Sequence, residues 1–347
     1  MQPLQEFPAY TPHPLLRNAH LMTLATRLPR PGVAQRAAGA EERLFQTLPD
    51  TRVKALCSWQ PDPPSAPTLL LVHGLSGHAG SSYMIGTADK AVAAGFNAVR
   101  LNVRNAGDTE QLSPRLAHSG LTHDLACVLR ELLEEDGLPR IYLAGFSLGG
   151  NLVFKLAGEL GDGAPAGLAG IVGISPALDL TACAEVVDGS FQNWIYRSFF
   201  LRDLKRLLRA KAALFPDRYD LEGLDDVSTI SEYDDFVIAP TFGFRDHRDY
   251  HERASALPFV PRIRVPALIV QAQDDTVVPF HFFHRPEIRS NPRVALLAPT
   301  RGGHCSFIGR GAAGGPGRRD RDRRWAENRV LQFVEYLESL RESDLRA

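Results

Sequence analysis

The sequence predicts an α/β fold, a mostly parallel central sheet with helices on both faces. Three observations carry this. Six short runs are continuously apolar, helix-patterned stretches stand between them, and glycine or proline borders the runs. Strands buried on both faces lose the polar alternation of a half-exposed strand and read as unbroken apolar runs. Alternation of such runs with helices gives a doubly wound sheet.

The chain has 347 residues, 44% hydrophobic and 23% charged, which is enough apolar material for a large core and argues against disorder. α/β folds often use this length as one domain, so 1–347 is expected to form a single one. A net charge of −1 gives no signal for nucleic acid, and none is expected as a partner. Cys57, Cys127, Cys183 and Cys305 are scattered without a CxxC, as expected of reduced thiols in a cytoplasmic protein. The opening "MQPLQEFPAYTPHPLLRNAHL" has neither the basic start nor the apolar run of a signal peptide. No stretch approaches the roughly 18 apolar residues of a membrane span, so no transmembrane segment is expected.

In chain order, the strands are "TLLLVHG" (68–74), "FNAVRLNV" (96–103), "RIYLAGF" (140–146), "LAGIVGIS" (168–175), "VPALIVQA" (265–272) and "RVALLAP" (293–299). Apolar spacing of three and four predicts helices over 122–136 and 152–160. No buried strand is evident over 179–258, which is rich in helix formers, aromatics and charges and is expected to form a helical lid over one end of the sheet. Residues 309–324, "GRGAAGGPGRRDRDRR", read as a flexible loop before a last amphipathic helix at 325–341.

The stretch "GFSLGG" (145–150) places Ser147 where strand 140–146 meets the following helix. A nucleophile elbow occupies that position: a tight strand-to-helix turn that strains the serine backbone and projects its hydroxyl into a cleft. The bland alternative is a glycine turn with an incidental serine. Context favours the elbow, because an acid and a histidine should follow in that order, each after a later strand. Asp274-Asp275 follows strand 265–272, and His304 follows strand 293–299. Taken singly, an Asp pair is usually a turn or cap and a histidine is usually structural. An oxyanion hole needs two backbone N–H donors. Leu148, just after the serine, and Leu75, in the "HGLSGHAG" loop after the first strand, are the candidates, with His73 and Gly74 holding that loop.

The motifs "RNAHLMTL", "LVHGLSGHAGSSY", "HSGLTHDL", "AGFSLGGNLVFKLAGE", "ISEYDDF", "HRDYHERASAL", "PALIVQAQDDTVVP" and "GGHCSFIG" resemble those of the YheT-like esterases of the α/β-hydrolase superfamily, relatives of membrane-anchored animal lipid hydrolases. The resemblance runs from about residue 15 to 340. It implies the α/β-hydrolase fold, a triad of Ser147, Asp275 and His304, and hydrolysis of small-molecule carboxylic esters without cofactor or metal. Asp275 also stands four residues before Pro279, the spacing usual for the acid. Three places depart from the pattern. Arg104-Asn105-Ala106-Gly107 replaces an arginine–glycine–cysteine turn, Ala117 replaces a tyrosine, and the arginine-rich loop is added.

Other constellations are weaker. Asp246, His247 and His251 fall within one helical turn, but without an HExxH or a nearby cysteine no metal site is expected. The stretch "YRSFFLRDLKRLLRAKAALF" aligns Phe200, Leu204, Leu207, Leu208 and Phe215; such a face can make weak contact with a membrane surface, and is more often packed down as a lid helix. "HSG" (118–120) with Asp124 reads as a cap of helix 122–136. Acyl transfer to another acceptor, thioesterase action and a catalytically silent binding scaffold are the alternatives to ester hydrolysis.

Overall fold

The computed structural model describes residues 7–27, 30, 32, 39–312, 314–315 and 318–346. Eight strands form one sheet in the order β1-β2-β4-β3-β5-β6-β7-β8. They are β1 (Glu41–Leu48), β2 (Thr51–Ser58), β3 (Thr68–Val72), β4 (Asn97–Leu101), β5 (Ile141–Phe146), β6 (Leu168–Ile174), β7 (Ala267–Val270) and β8 (Val294–Leu297). β3 through β8 run parallel, and β2 pairs antiparallel with both β1 and β4. The six expected strands all lie in the parallel part. The β1–β2 hairpin was not read from the sequence.

The main helices are α1 (Ala19–Leu24), α2 (Ser82–Val92), α3 (His123–Glu134), α4 (Leu148–Leu160), α5 (Leu180–Gly189), α6 (Trp194–Leu214), α7 (His247–Ala254) and α8 (Trp325–Arg346). Alternate side chains of the central strands feed two separate apolar layers. Leu69, Leu71, Tyr142, Ala144, Leu268 and Val270 pack with α2 and α8 residues such as Met84, Ala88, Val330 and Phe333. Leu70, Val72, Ile141, Leu143, Ala267 and Ile269 pack on the other side with Leu125, Val128, Val153 and Phe154 of α3 and α4.

Between β6 and β7 the described chain is helical, with α5, α6 and α7 and a π-helical turn at Asp234–Ile238. Part of the arginine-rich loop, residues 313, 316 and 317, lies outside the described residues. Its described part is fastened to the body: Gly309 bridges Pro12, Ile308 bridges Arg324, and Lys90 pairs with Asp322 at 2.8 Å. The N-terminal residues 1–6 also lie outside the described part. Among the described residues, no helix is long and apolar enough to cross a membrane.

Candidate active site

β5 ends at Phe146, and Ser147 forms the N-cap of α4 with φ 51° and ψ −116°. A positive φ is costly for a residue with a side chain and persists only where the surroundings fix it. Here the surroundings do so. The Ser147 N–H donates to Ile174 O at 2.9 Å, and its carbonyl accepts from Ala177 N at 3.2 Å. A Cβ at Gly145 would come within 2.2 Å of Gly149 O, and one at Gly149 within 2.3 Å of Val72 O. Only hydrogen fits at both positions, so the flanking glycines are steric requirements of the turn.

The Ser147 hydroxyl lies 2.9 Å from His304 Nε2, and His304 Nδ1 lies 3.1 and 3.0 Å from the two Asp275 carboxylate oxygens. The Asp275 side chain is fully buried. Its Oδ1 accepts from Val277 N at 2.9 Å and Val278 N at 3.0 Å, and its Oδ2 accepts from Gln271 Nε2 at 3.2 Å. Asp274 faces elsewhere and accepts from Gly303 N at 3.0 Å, tying its loop to the one that carries His304. Burial acts on His304 by lowering its pKa, but the Asp275 carboxylate, with Cys305 adding to it, outweighs this and leaves it well above the ordinary histidine value.

The His304 loop is held from a distance by α1. Thr23 Oγ1 accepts from His304 N at 2.9 Å, donates to Ala19 O at 2.8 Å and meets Thr276 Oγ1 at 3.0 Å. Gly303, at φ +57°, packs so closely on α1 that a Cβ would lie 2.9 Å from Ala19 O and from Thr23. On the other side, Cys305 N donates to Ser175 Oγ at 3.1 Å. Sequence reasoning assigned no role to Thr23, although it lies inside the quoted "RNAHLMTL".

His73 is buried and its pKa is lowered to about 4 by burial, so the ring is neutral. One tautomer satisfies both its contacts: Nδ1–H donates to Gly74 O at 2.7 Å, and Nε2 accepts from Val103 N at 3.0 Å. This clamps the loop after β3 to the loop after β4. A Cβ at Gly74 would lie 3.0 Å from Ser147 Cβ, so the glycine lets Leu75 approach the elbow. Leu148 opens α4 as its first residue, where a backbone N–H has no acceptor within the helix. Leu75 and Leu148 both line a cavity of about 470 Å³, together with Arg104, His118, Leu207 and Tyr250. Ser147, Asp275 and His304 are not among its lining residues, so it opens on the Leu75 and Leu148 side of the elbow.

Several expected roles change. Asp124 does not cap α3, whose N-cap Thr122 makes no side-chain cap bond; Asp124 instead accepts from buried Arg104 at 2.6 and 2.9 Å. A buried guanidinium needs a paired carboxylate, and that demand outcompetes capping. His118 turns inward: Nδ1 accepts from Gly120 N at 3.2 Å, the ring packs on Phe242, Phe244 and Tyr250, and burial lowers its pKa to about 4. Asn151, one turn after Ser147, donates to Ser119 O and Ala254 O at 2.9 Å each, joining that turn to α7. His247 and His251 pair separately with Asp235 and Asp234, each at 2.7 Å, while Asp246 caps α7. Among the described residues no three such side chains are grouped to hold a metal ion. On α6, Leu208 is buried, Phe200 and Leu204 pack against the core, Leu207 lines the cavity, and the Phe215 ring lies 4.4 Å from the Lys211 ammonium.

A family model described as the alpha/beta hydrolase fold matches residues 67–310. The chain is 32% identical over 328 residues to "Putative esterase YheT" of Escherichia coli (strain K12), covering 93% of this chain and 92% of that one. It is 28% identical over 249 residues to "Phospholipase ABHD3" of Mus musculus, spanning 71% of this chain but only 60% of the relative. Among solved structures, the Pyrococcus furiosus esterase Pf2001 superposes with a TM-score of 0.53 at 14% identity, over 81% of this chain and 90% of that one, a likeness of fold alone.

Proposed function

The chain belongs to the YheT-like esterases of the α/β-hydrolase fold, and on that premise we propose that it hydrolyses carboxylic esters through an acyl-enzyme on Ser147. Short- to medium-chain acyl or lipid-like esters are the substrate class. The observation that carries this reading is the unbroken line from the Ser147 hydroxyl through His304 to Asp275, with both contacts near 3 Å. The chemistry runs as follows. Ser147 Oγ attacks the ester carbonyl while His304 Nε2 takes its proton, and Asp275 stabilises the imidazolium. The N–H groups of Leu75 and Leu148 hold the tetrahedral oxyanion; losing one such donor typically costs about 3 kcal/mol. Collapse expels the alcohol, which leaves with the proton from His304. A water then gives its proton to His304 and attacks the acyl-enzyme; collapse of the second tetrahedral intermediate breaks the bond to Ser147 Oγ, which takes the proton back from His304 as the acid leaves.

In this reading the chain is a single hydrolase domain, and 179–258 is a lid over the cleft. Its apolar stripe on α6 packs inward, so it needs no membrane contact through that stripe. Fluorophosphonate labelling followed by mass spectrometry, beside steady-state hydrolysis of a p-nitrophenyl ester series, tests the proposal. The adduct is expected on Ser147, and the Ser147→Ala variant should neither label nor turn over. Labelling of another serine would overturn the assignment. Labelling at Ser147 without release of acid would move the reading to acyl transfer or to a silent scaffold.

A further inference from the structure

α1 and the start of α6 lie side by side on the surface. His20 Nδ1 is 3.0 Å from Tyr196 Oη, its Nε2 is 3.3 Å from Gln192 Oε1, and its ring stacks on Tyr196 with centroids 5.8 Å apart. Each segment keeps its packing side inward. Met22 and Thr23 are buried, while Leu15, Leu21 and Leu24 stay exposed, Leu15 by 79%. Phe191, Trp194 and Ile195 follow the i, i+3, i+4 spacing of one helix face and are also exposed, Phe191 by 88%. Six of the ten large apolar side chains exposed among the described residues therefore come from these two neighbouring segments, too many to be ordinary scatter.

The charge around this patch is one-sided. No acidic residue occurs in sequence between Glu6 and Glu41, or between Asp188 and Asp203, whereas Arg17 flanks the first segment and Arg197 and Arg202 follow the second. Arg301 adds to the rim, donating from Nη1 to Arg17 O at 2.6 Å. A chain of net charge −1 thus concentrates positive charge beside its exposed apolar side chains. Apolar side chains within a basic rim match the interface of an anionic bilayer, where tails take the apolar groups and headgroups the arginines. The patch is also fixed to the site. Thr23 holds the His304 backbone, and Asn193 Nδ2 donates at 2.9 Å to the carbonyl of Thr276, next to Asp275.

We propose that Leu15, Leu21, Leu24, Phe191, Trp194 and Ile195 form a docking surface for an anionic lipid bilayer, seating the Asp275 and His304 loops against the lipid. The proposal rests on the ester-hydrolase reading and extends it to substrates presented from an interface. The test is sedimentation of the full chain with phosphatidylglycerol–phosphatidylcholine vesicles and with pure phosphatidylcholine vesicles. Trp194 emission is followed in parallel, and hydrolysis of soluble p-nitrophenyl acetate serves as the activity control. Wild type should bind the anionic vesicles with a blue shift and weaken in high salt. The Leu15→Ser, Leu21→Ser, Phe191→Ser variant should bind at least about tenfold less at unchanged soluble turnover. The Arg17→Glu, Arg202→Glu variant, which leaves the apolar groups intact, should also lose binding. Three results would each overturn the proposal: no binding by wild type, equal binding by both variants, or equal binding to neutral vesicles. So would light scattering that shows a dimer which the serine variant converts to a monomer, because the patch would then join two copies. Wild type that binds vesicles but hydrolyses no ester would instead sink the hydrolase reading and leave the docking surface standing.

Discussion

Adjacent aspartates at 274 and 275 make opposite predictions under one substitution. Asp275 is fully buried and accepts on both oxygens: Oδ1 from Val277 N and Val278 N, Oδ2 from Gln271 Nε2, and both from His304 Nδ1. In Asp275→Asn, the amide oxygen must stay toward the two backbone N–H groups, because an NH₂ there would face two donors. The NH₂ then occupies the Oδ2 position, against the Gln271 amide and His304 Nδ1. The NH₂ at the nearer position, 3.0 Å from Nδ1, donates to it and favours the tautomer with the proton on Nε2, against the retained oxygen at 3.1 Å that is already taken by two backbone donors. That ring cannot take the Ser147 proton. The same exchange in a serine protease lowers turnover about 10⁴-fold, or roughly 5.5 kcal/mol of barrier. Asp274→Asn keeps an oxygen for Gly303 N and loses only the charge assistance of one hydrogen bond, so turnover should fall by less than about tenfold. Steady-state kinetics on p-nitrophenyl butyrate, with circular dichroism to verify folding, gives the comparison. A crippled Asp274→Asn beside an active Asp275→Asn would refute the reasoning and move the acid by one residue.

Other expectations follow from single contacts. General-base catalysis needs neutral His304, and Asp275 holds its pKa up, so kcat/KM should fall as pH drops through a value above the ordinary 6.5 or so; an acid limb below that, measured with a soluble ester, would contradict the coupling. Thr23→Val removes the acceptor of the His304 N–H in a nearly isosteric side chain, and should lower kcat about tenfold with KM little changed. Thr23→Ser should restore it, and equal loss in both variants would mean that α1 acts by packing alone. Gly149→Ala drives a Cβ into Val72 O and His73 O, both backbone of the central sheet or its end, at 2.3 and 2.5 Å. It should cost about 3 kcal/mol or more in urea unfolding, and a loss under about 1 kcal/mol would show that the turn can relax.

What was legible in the sequence is what local chemistry dictates. Five of the six parallel strands, β3 to β7, are buried along their whole length and so wrote themselves as apolar runs, while β8 at the sheet edge is partly buried but still apolar; the elbow showed because its glycines are steric necessities. The β1–β2 hairpin lies at the sheet edge, and β2 alternates, with Thr51, Val53, Ala55 and Cys57 inward and more exposed residues between. Period-2 alternation was present, but a search for continuous runs passes over it. Asp124 illustrates another limit. A carboxylate near a helix start looks like a cap, and only the fold reveals that Arg104, twenty residues earlier, is buried beside it and needs the charge.

The support of the candidate histidine shows why the rest was hidden. His304 sits in a tight loop with positive φ at Gly303, Cys305 and Phe307, a conformation that leaves its own backbone N–H without a neighbour in sequence to accept from it. The partner comes from Thr23, 281 residues away, and the hydroxyl that also reaches Thr276 joins the Asp275 and His304 loops through one atom. Nothing in the spacing of residues 18–24 announces that duty, because α1 is a short helix whose only local signal is the Asn18 cap. The family likeness marked "RNAHLMTL" as distinctive without a reason. In the structure this segment holds the His304 loop through the Thr23 hydroxyl and through the close approach of Gly303 to Ala19 and Thr23. Deleting that segment should therefore disturb the geometry of the candidate triad before it unfolds the sheet, whose two apolar layers draw their helices from elsewhere in the chain.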